Sequence, residues 1–104
     1  MNSTLQHFVS LLKKREFYEA HEVLESLWFP LRFSSDEKTK CIRSLINASV
    51  SFELAKKNRL DASKRVWQNY TKRRDLIKNY ADLEEVALFV DELSEQLWAE
   101  FSPK

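Results

Sequence analysis

The sequence predicts an all-α fold: a single compact bundle of about five helices around a buried central helix, the third. Three observations carry this. The 104 residues contain no glycine and only two prolines, whereas sheets draw on glycine for hairpin turns and bulges. Apolar residues recur at spacings of three and four along most of the chain. The breaks between these stretches are short and polar, which favours antiparallel neighbours. No linker or low-complexity segment interrupts residues 1–104, so one domain is expected.

Leu5, Phe8, Val9 and Leu12 make one face of a first helix over roughly residues 4–14, with Ser3 or Thr4 as cap. The second helix covers roughly 16–30, with Phe17, Ala20, Leu24, Leu27, Trp28 and Leu31 on its stripe and Pro30 at its end. Ser34 and Glu37 form a candidate capping box for the third, which runs to about Lys57. Cys41, Leu45, Ala48, Phe52 and Ala55 line one side of it; Ile42, Ile46, Val50 and Leu54 cover most of the rest. A helix apolar nearly all round belongs at the centre of a bundle. Its small residues, among them Ala48, Ser49, Ser51 and Ala55, let neighbours approach closely, and Asn47 and Ser51 stand one turn apart as a polar stripe. The fourth helix starts at Asp61 and carries Val66, Trp67, Tyr70 and Ile77. The fifth starts at Asp82 and buries Leu83, Val86, Val90, Leu93, Leu97 and Phe101.

Hydrophobic residues make up 43% and charged residues 32%, the balance of a globular chain. Cys41 is the only cysteine, which excludes an internal disulfide and a cysteine-rich zinc site. The first basic cluster follows the first apolar stretch, unlike a signal peptide. No apolar run approaches the ~20 residues of a membrane span. A cytoplasmic protein with no membrane role is expected.

Charge is sorted along the chain. Nine basic residues lie between Lys56 and Lys78 against two acids, and seven acids with no base lie between Asp82 and Glu100. Outer faces of the last two helices can therefore pair, each surface contact contributing about 0–1 kcal/mol. The alternative is a nucleic-acid patch on the fourth helix, basic with interleaved aromatics. Trp67 and Tyr70 fall with Val66 on the core side, however, and a stacking platform needs exposed rings. Nucleic-acid binding is disfavoured on that ground.

The stretch Phe17-Tyr18-Glu19-Ala20-His21-Glu22-Val23-Leu24-Glu25, with Trp28, sets a histidine and carboxylates beside an apolar stripe. At about 100° per residue from Phe17, His21 lies near 40° and Glu25 near 80°; Glu22, near 140°, points further round. Tyr18 and Phe29, near 100° and 120°, also lie off the stripe. The stretch resembles the hallmark motif of a small bacterial and archaeal helical family, the domain-of-unknown-function family numbered 309. Leu45-Ile46-Asn47-Ala48 is similar to that family's leucine–isoleucine–glutamine–alanine block on its central helix. The resemblance spans roughly residues 5–75. It implies an all-helical bundle and brings no established activity. Three departures stand out: Asn47 replaces glutamine, Glu53 stands where histidine is frequent, and Lys57-Asn58 and Asp61-Ala62 replace a glycine–asparagine turn and a glycine–alanine helix start.

Three chemistries fit the His21 cluster. A divalent metal would take His21, Glu25 and Glu53, three ligands at most, with neither a Glu-x-x-His pair nor an H-E-x-x-H motif to complete the set. Acid–base catalysis would need a nucleophile or bound water beside His21. The favoured reading makes His21 a hydrogen-bonding pin, mostly buried, with Glu25 or Asn47 within reach. His21, Glu22, Glu25, Trp28 and Asn47 are thus the candidate site, and no cofactor is required. Tyr18 and Phe29, aromatic and beside two acids, mark a surface for a protein partner or a second copy of the chain. The favoured function is a non-catalytic interaction module. Its rivals are a metal-dependent hydrolase using His21 and Glu25, and an RNA-binding module on the fourth helix.

Overall fold

The periodic stretches become six α-helices and one 3-10 turn in the computed structural model, which describes residues 2–101. They are α1 (Ser3–Lys13), α2 (Phe17–Trp28), the 3-10 turn (Phe29–Leu31), α3 (Glu37–Lys56), α4 (Leu60–Thr71), α5 (Arg74–Ile77) and α6 (Ala81–Phe101). No strand occurs among the described residues.

Two of the connections solve the same problem without glycine. A helix that ends in a left-handed residue can satisfy its last carbonyls by a pair of reversed hydrogen bonds. After α1, Arg15 takes φ 60°; its N–H donates to Leu12 O, and that of Glu16 to Leu11 O. After α3, Asn58 takes φ 61°; its N–H donates to Ala55 O, and that of Arg59 to Leu54 O. Asparagine tolerates this conformation better than most residues. Lys57 sits at φ −85°, open to any side chain. The lysine in place of the family's glycine therefore leaves the turn intact.

Several helix ends differ from the expectation. Asn2 caps α1, its Oδ1 accepting from Leu5 N–H at 2.8 Å. The Ser34–Glu37 box does not form: Asp36 is the cap residue of α3, and Ser34 Oγ accepts from Asp36 N–H instead. Arg59, not Asp61, precedes α4, because the reversed turn delivers it directly into the new helix. Asp82 lies inside the first turn of α6. The fourth helix does not run through to Ile77. It stops at Thr71, where Arg73 N–H bonds to Tyr70 O three residues back, and α5 restarts at Arg74. Leu31 leaves the α2 stripe because the 3-10 turn rotates it outward, where it is 42% exposed.

α3 is the centre. It packs against α2, α4, α5 and α6, while α1 closes on α2 and α6. Leu45, Ala48 and Phe52 are fully buried, as are Leu5, Phe8, Leu12, Phe17, Ala20 and Leu24 from the first two helices. Phe52 is the hub of an aromatic cluster: its ring centroid lies 5.5 Å from Phe17, 5.5 Å from Trp67 and 6.3 Å from Trp98. Trp67 also lies 4.8 Å from Tyr70. The aromatics of the basic segment are thus turned into the bundle, as their helical phase required.

Two serines fix how closely α3 and α4 approach. Ser51 Oγ donates to Ser63 O at 2.8 Å, and Ser63 Oγ donates to Ser51 O at 2.7 Å. Both side chains are fully buried. Small side chains permit the approach, and the reciprocal bonds leave neither hydroxyl unpaired.

The sorted charges meet at one point. Arg74 Nε donates to Asp91 Oδ2 at 2.7 Å, and its terminal nitrogens form a fork on the Glu84 carboxylate. Tyr70 Oη donates to Asp91 Oδ1 at 2.6 Å. Hydrogen bonding from Arg74 holds the Glu84 carboxyl below its ordinary value. Burial, reinforced by the bond to Asp91, pushes the Tyr70 hydroxyl well above the tyrosine range.

Two outcomes follow from this packing. Leu45→Ala is expected to cost ~2–5 kcal/mol and Phe52→Ala ~3–5 kcal/mol, read from urea midpoints. Unmoved midpoints would contradict a central α3. The charge network gives stability a dependence at both ends of the pH scale. Glu84 binds a proton less readily in the folded state, so its contribution is complete above about pH 4.5 and is lost as pH falls through the lower folded value. Tyr70 releases its proton less readily when folded, so its contribution is complete below about pH 10 and is lost as pH rises. Thermal melts across pH should show Glu84→Gln flattening the acid limb and Tyr70→Phe the alkaline one.

Candidate functional site

α2 buries Phe17, Ala20 and Leu24 and turns its motif residues to the rim. His21 Nε2 lies 2.7 Å from Glu25 Oε2, one turn along the same helix. The His21 side chain is 25% exposed and that of Glu25 45%. The Tyr18 ring lies 5.8 Å from the imidazole, and Glu22 is exposed. Trp28 packs partly buried against the core, with the Arg43 guanidinium 5.7 Å from its ring.

Of the two partners expected for His21, the structure pairs it with Glu25. Asn47 looks elsewhere: its Nδ2 donates to Arg43 O at 3.2 Å, on its own helix. The imidazole is therefore held within α2, at the edge of the core, with a quarter of its side chain exposed. The α2–α3 seam near the motif is marked instead by Trp28 against Arg43. Glu53 is apart from the cluster, its Oε1 3.5 Å from Lys57 Nζ near the end of α3.

Among the described residues, no three histidine, cysteine, aspartate or glutamate side chains gather where a cation could be held. His21 and Glu25 come together; Glu53 does not join them. An imidazole held by a carboxylate at a solvent rim can exchange protons, but among the described residues no hydroxyl or thiol is hydrogen-bonded to His21. Cys41 is buried, and burial raises its thiol further from ionisation, with Glu37 adding to the effect.

Large apolar groups are exposed along the motif helix and the turn that follows it. Tyr18 is 54% exposed, Phe29 52% and Phe33 89%. Glu22, Glu25, Ser26, Phe29 and Pro30 line a shallow groove there. The Arg32 guanidinium lies 3.7 Å from the Phe29 ring and 4.5 Å from that of Phe33, and Nη1 donates to Phe29 O at 2.7 Å. One cation thus lies against both rings.

A second polar cluster was not foreseen. Asn47 and Ser44, with Lys40 and Arg43, face Asn69, Lys72 and Arg73 across a cleft between α3 and the end of α4. Lys40, Arg43 and Asn47 do fall at helical spacing, but the other half comes from another element, and only the packing joins them.

The fold and rim site define a small glycine-free helical bundle whose motif helix lies against a buried central helix. The chain belongs to the family described as Domain of unknown function (DUF309), whose model matches residues 5–66, more than half of its length. That match runs from α1 into α4 and contains the whole motif. Comparison with curated proteins and with solved structures gave no match.

The rim position sets the size of the effect at His21. An intrahelical pair contributes about 0.3–0.5 kcal/mol, and the half-buried ring adds a comparable packing term. His21→Ala should therefore cost about 1 kcal/mol in chemical denaturation, well short of a core deletion. His21→Gln should recover part of it, since the amide can still donate to Glu25. A loss as large as that of Leu45→Ala would contradict the rim placement.

Proposed function

We propose that the protein is a non-catalytic interaction module that captures a basic, apolar-anchored segment of another protein on the outer flank of α2. The observation that carries this reading is the set of exposed aromatic rings along this flank and the turn after it. Tyr18, Phe29 and Phe33 remain open to solvent while the bundle buries its other phenylalanines wholly or in part. Exposed rings beside charged residues are the composition of a binding surface. Glu22 and Glu25 border the groove and select against acidic partners. An aromatic or aliphatic anchor would rest on Phe29, and lysine or arginine side chains would reach the two carboxylates. His21, by holding Glu25, positions one of those carboxylates.

Two measurements separate this reading from its rivals. Fluorescence anisotropy with a set of basic amphipathic peptides should detect binding. Phe29→Ala and Glu22→Lys should each weaken it by about tenfold, or ~1.4 kcal/mol. Both side chains are exposed, so melting temperature should change little. Equal binding by parent and both variants would exclude the flank. Added zinc or manganese should leave the melting temperature of the parent unchanged. A rise abolished by His21→Gln would make His21 and Glu25 metal ligands and replace the interaction reading with the hydrolase.

A further inference from the structure

We infer that the cleft between α3 and α4 is a binding site for a phosphoryl group carried on a hydroxyl-bearing molecule, a sugar phosphate in chemical class. The cleft has a volume of about 330 Å³, at the lower end of the range of small-molecule sites. Its lining contains four cations, Lys40, Arg43, Lys72 and Arg73, and no carboxylate. Among the described residues, none of the four lies within salt-bridge distance of an acid. This contrasts with Arg74, one residue on, which two carboxylates hold. Like charges gathered without a counter-charge repel one another, and an anion between them removes that cost. Guanidinium and ammonium groups together match a phosphate: the former bonds two oxygens at once, the latter acts as a compact charge.

The remaining residues say what carries the phosphate. Ser44 Oγ donates to Cys41 O, and Asn47 Nδ2 donates to Arg43 O. The Ser44 hydroxyl hydrogen and one of the two Asn47 amide hydrogens are thus committed to their own helix. Ser44 Oγ and Asn47 Oδ1 keep acceptor capacity, which suits the hydroxyl hydrogens of a ligand. Asn69 adds an amide able to donate and accept. No aromatic ring lines the cleft, so the usual stacking platform for a nucleobase is missing from its lining. Cations for the phosphate and acceptors for neighbouring hydroxyls describe a sugar phosphate. A free sugar phosphate and the backbone of a single-stranded RNA present the same groups.

The test is titration of the full chain by calorimetry and by amide shifts, with inorganic phosphate, ribose, ribose 5-phosphate and a short single-stranded RNA as probes. Ribose 5-phosphate should bind about tenfold more tightly than inorganic phosphate, and ribose alone should not bind. The shifted amides should be those of residues 43–47 and 69–73. Paired Lys40→Glu and Lys72→Glu should weaken binding by about tenfold or more, while Lys14→Glu with Lys64→Glu, an equal change of net charge outside the cleft, should leave it within about twofold. Asn69→Asp, at an exposed position, is the second variant should the paired reversal fail to fold, and it too should weaken binding. An RNA that binds more tightly than ribose 5-phosphate and shifts the same amides identifies the backbone as the carrier; an RNA that fails to displace ribose 5-phosphate identifies the free sugar phosphate. Either outcome supports the phosphoryl site. Absence of cleft shifts with every phosphate-bearing probe at ~10 mM, or equal loss in the control variant, overturns it.

Discussion

The reciprocal bond between Ser51 and Ser63 is the constraint on which the rest of the bundle depends. Two helices can approach this closely only where neither carries a bulky side chain, and each hydroxyl then finds the other helix's carbonyl. These bonds fix the register of α3 against α4 at one point. It stacks Phe52 on Trp67, which brings Tyr70 round to face Asp91 and α6. It also sets Asn47 and Ser44, one and two turns before Ser51, opposite Asn69, because the helices run antiparallel. A larger residue at either serine would part the helices and disturb the aromatic hub and the cleft together.

The break between α4 and α5 has its explanation in the same geometry. A continuous helix would carry Arg74 onward along the α4 axis. Stopping at Thr71 lets the chain turn so that Arg74 reaches Glu84 and Asp91 on α6. Arg74 is the member of the basic run that joins α6 in this way. Among the described residues Lys78 pairs locally, with Asp75, and both side chains are largely exposed. Pairing between the sorted segments is therefore concentrated in one well-formed fork rather than spread along two faces. Such a fork is the geometry in which a partly buried ion pair contributes most.

What the sequence made legible was whatever depends on period. The buried faces of α1, α2, α3 and α6 follow from spacing alone, and so does the inward turn of Trp67 and Tyr70. The family resemblance was legible because His21, its glutamates and Trp28 occupy one helix at fixed intervals. Less legible were the ends. Serine and aspartate near a helix start are capping candidates, yet the reversed turns at Arg15 and Asn58 decide where α2 and α4 begin. Nothing in a glycine-free sequence marks Arg15 as left-handed. The serine pair was half visible, since small residues on α3 foretold a close neighbour, but Ser63 as partner is a fact of register. The Asn47 stripe was visible and its direction was not: a pin toward His21 competes with a carbonyl one turn away on the same helix, and the local bond wins.

The two surfaces of the molecule differ in what they require of the fold. The aromatic flank is built from α2 and the turn after it, with Arg32 against Phe29 and Phe33. Such a surface needs little beyond one helix anchored by Phe17, Ala20 and Leu24. The cleft is different in kind. Neither α3 nor the end of α4 offers a site alone, and the four cations share a space only because the serine pair fixes the helices' separation. A feature that concentrates uncompensated charge works against stability, so the packing that enforces it must be strong elsewhere. The aromatic hub and the fully satisfied serine bonds supply that strength on the same two helices. The central helix thus does for charge what it does for the core: it holds side chains in a place that their own chemistry would not select.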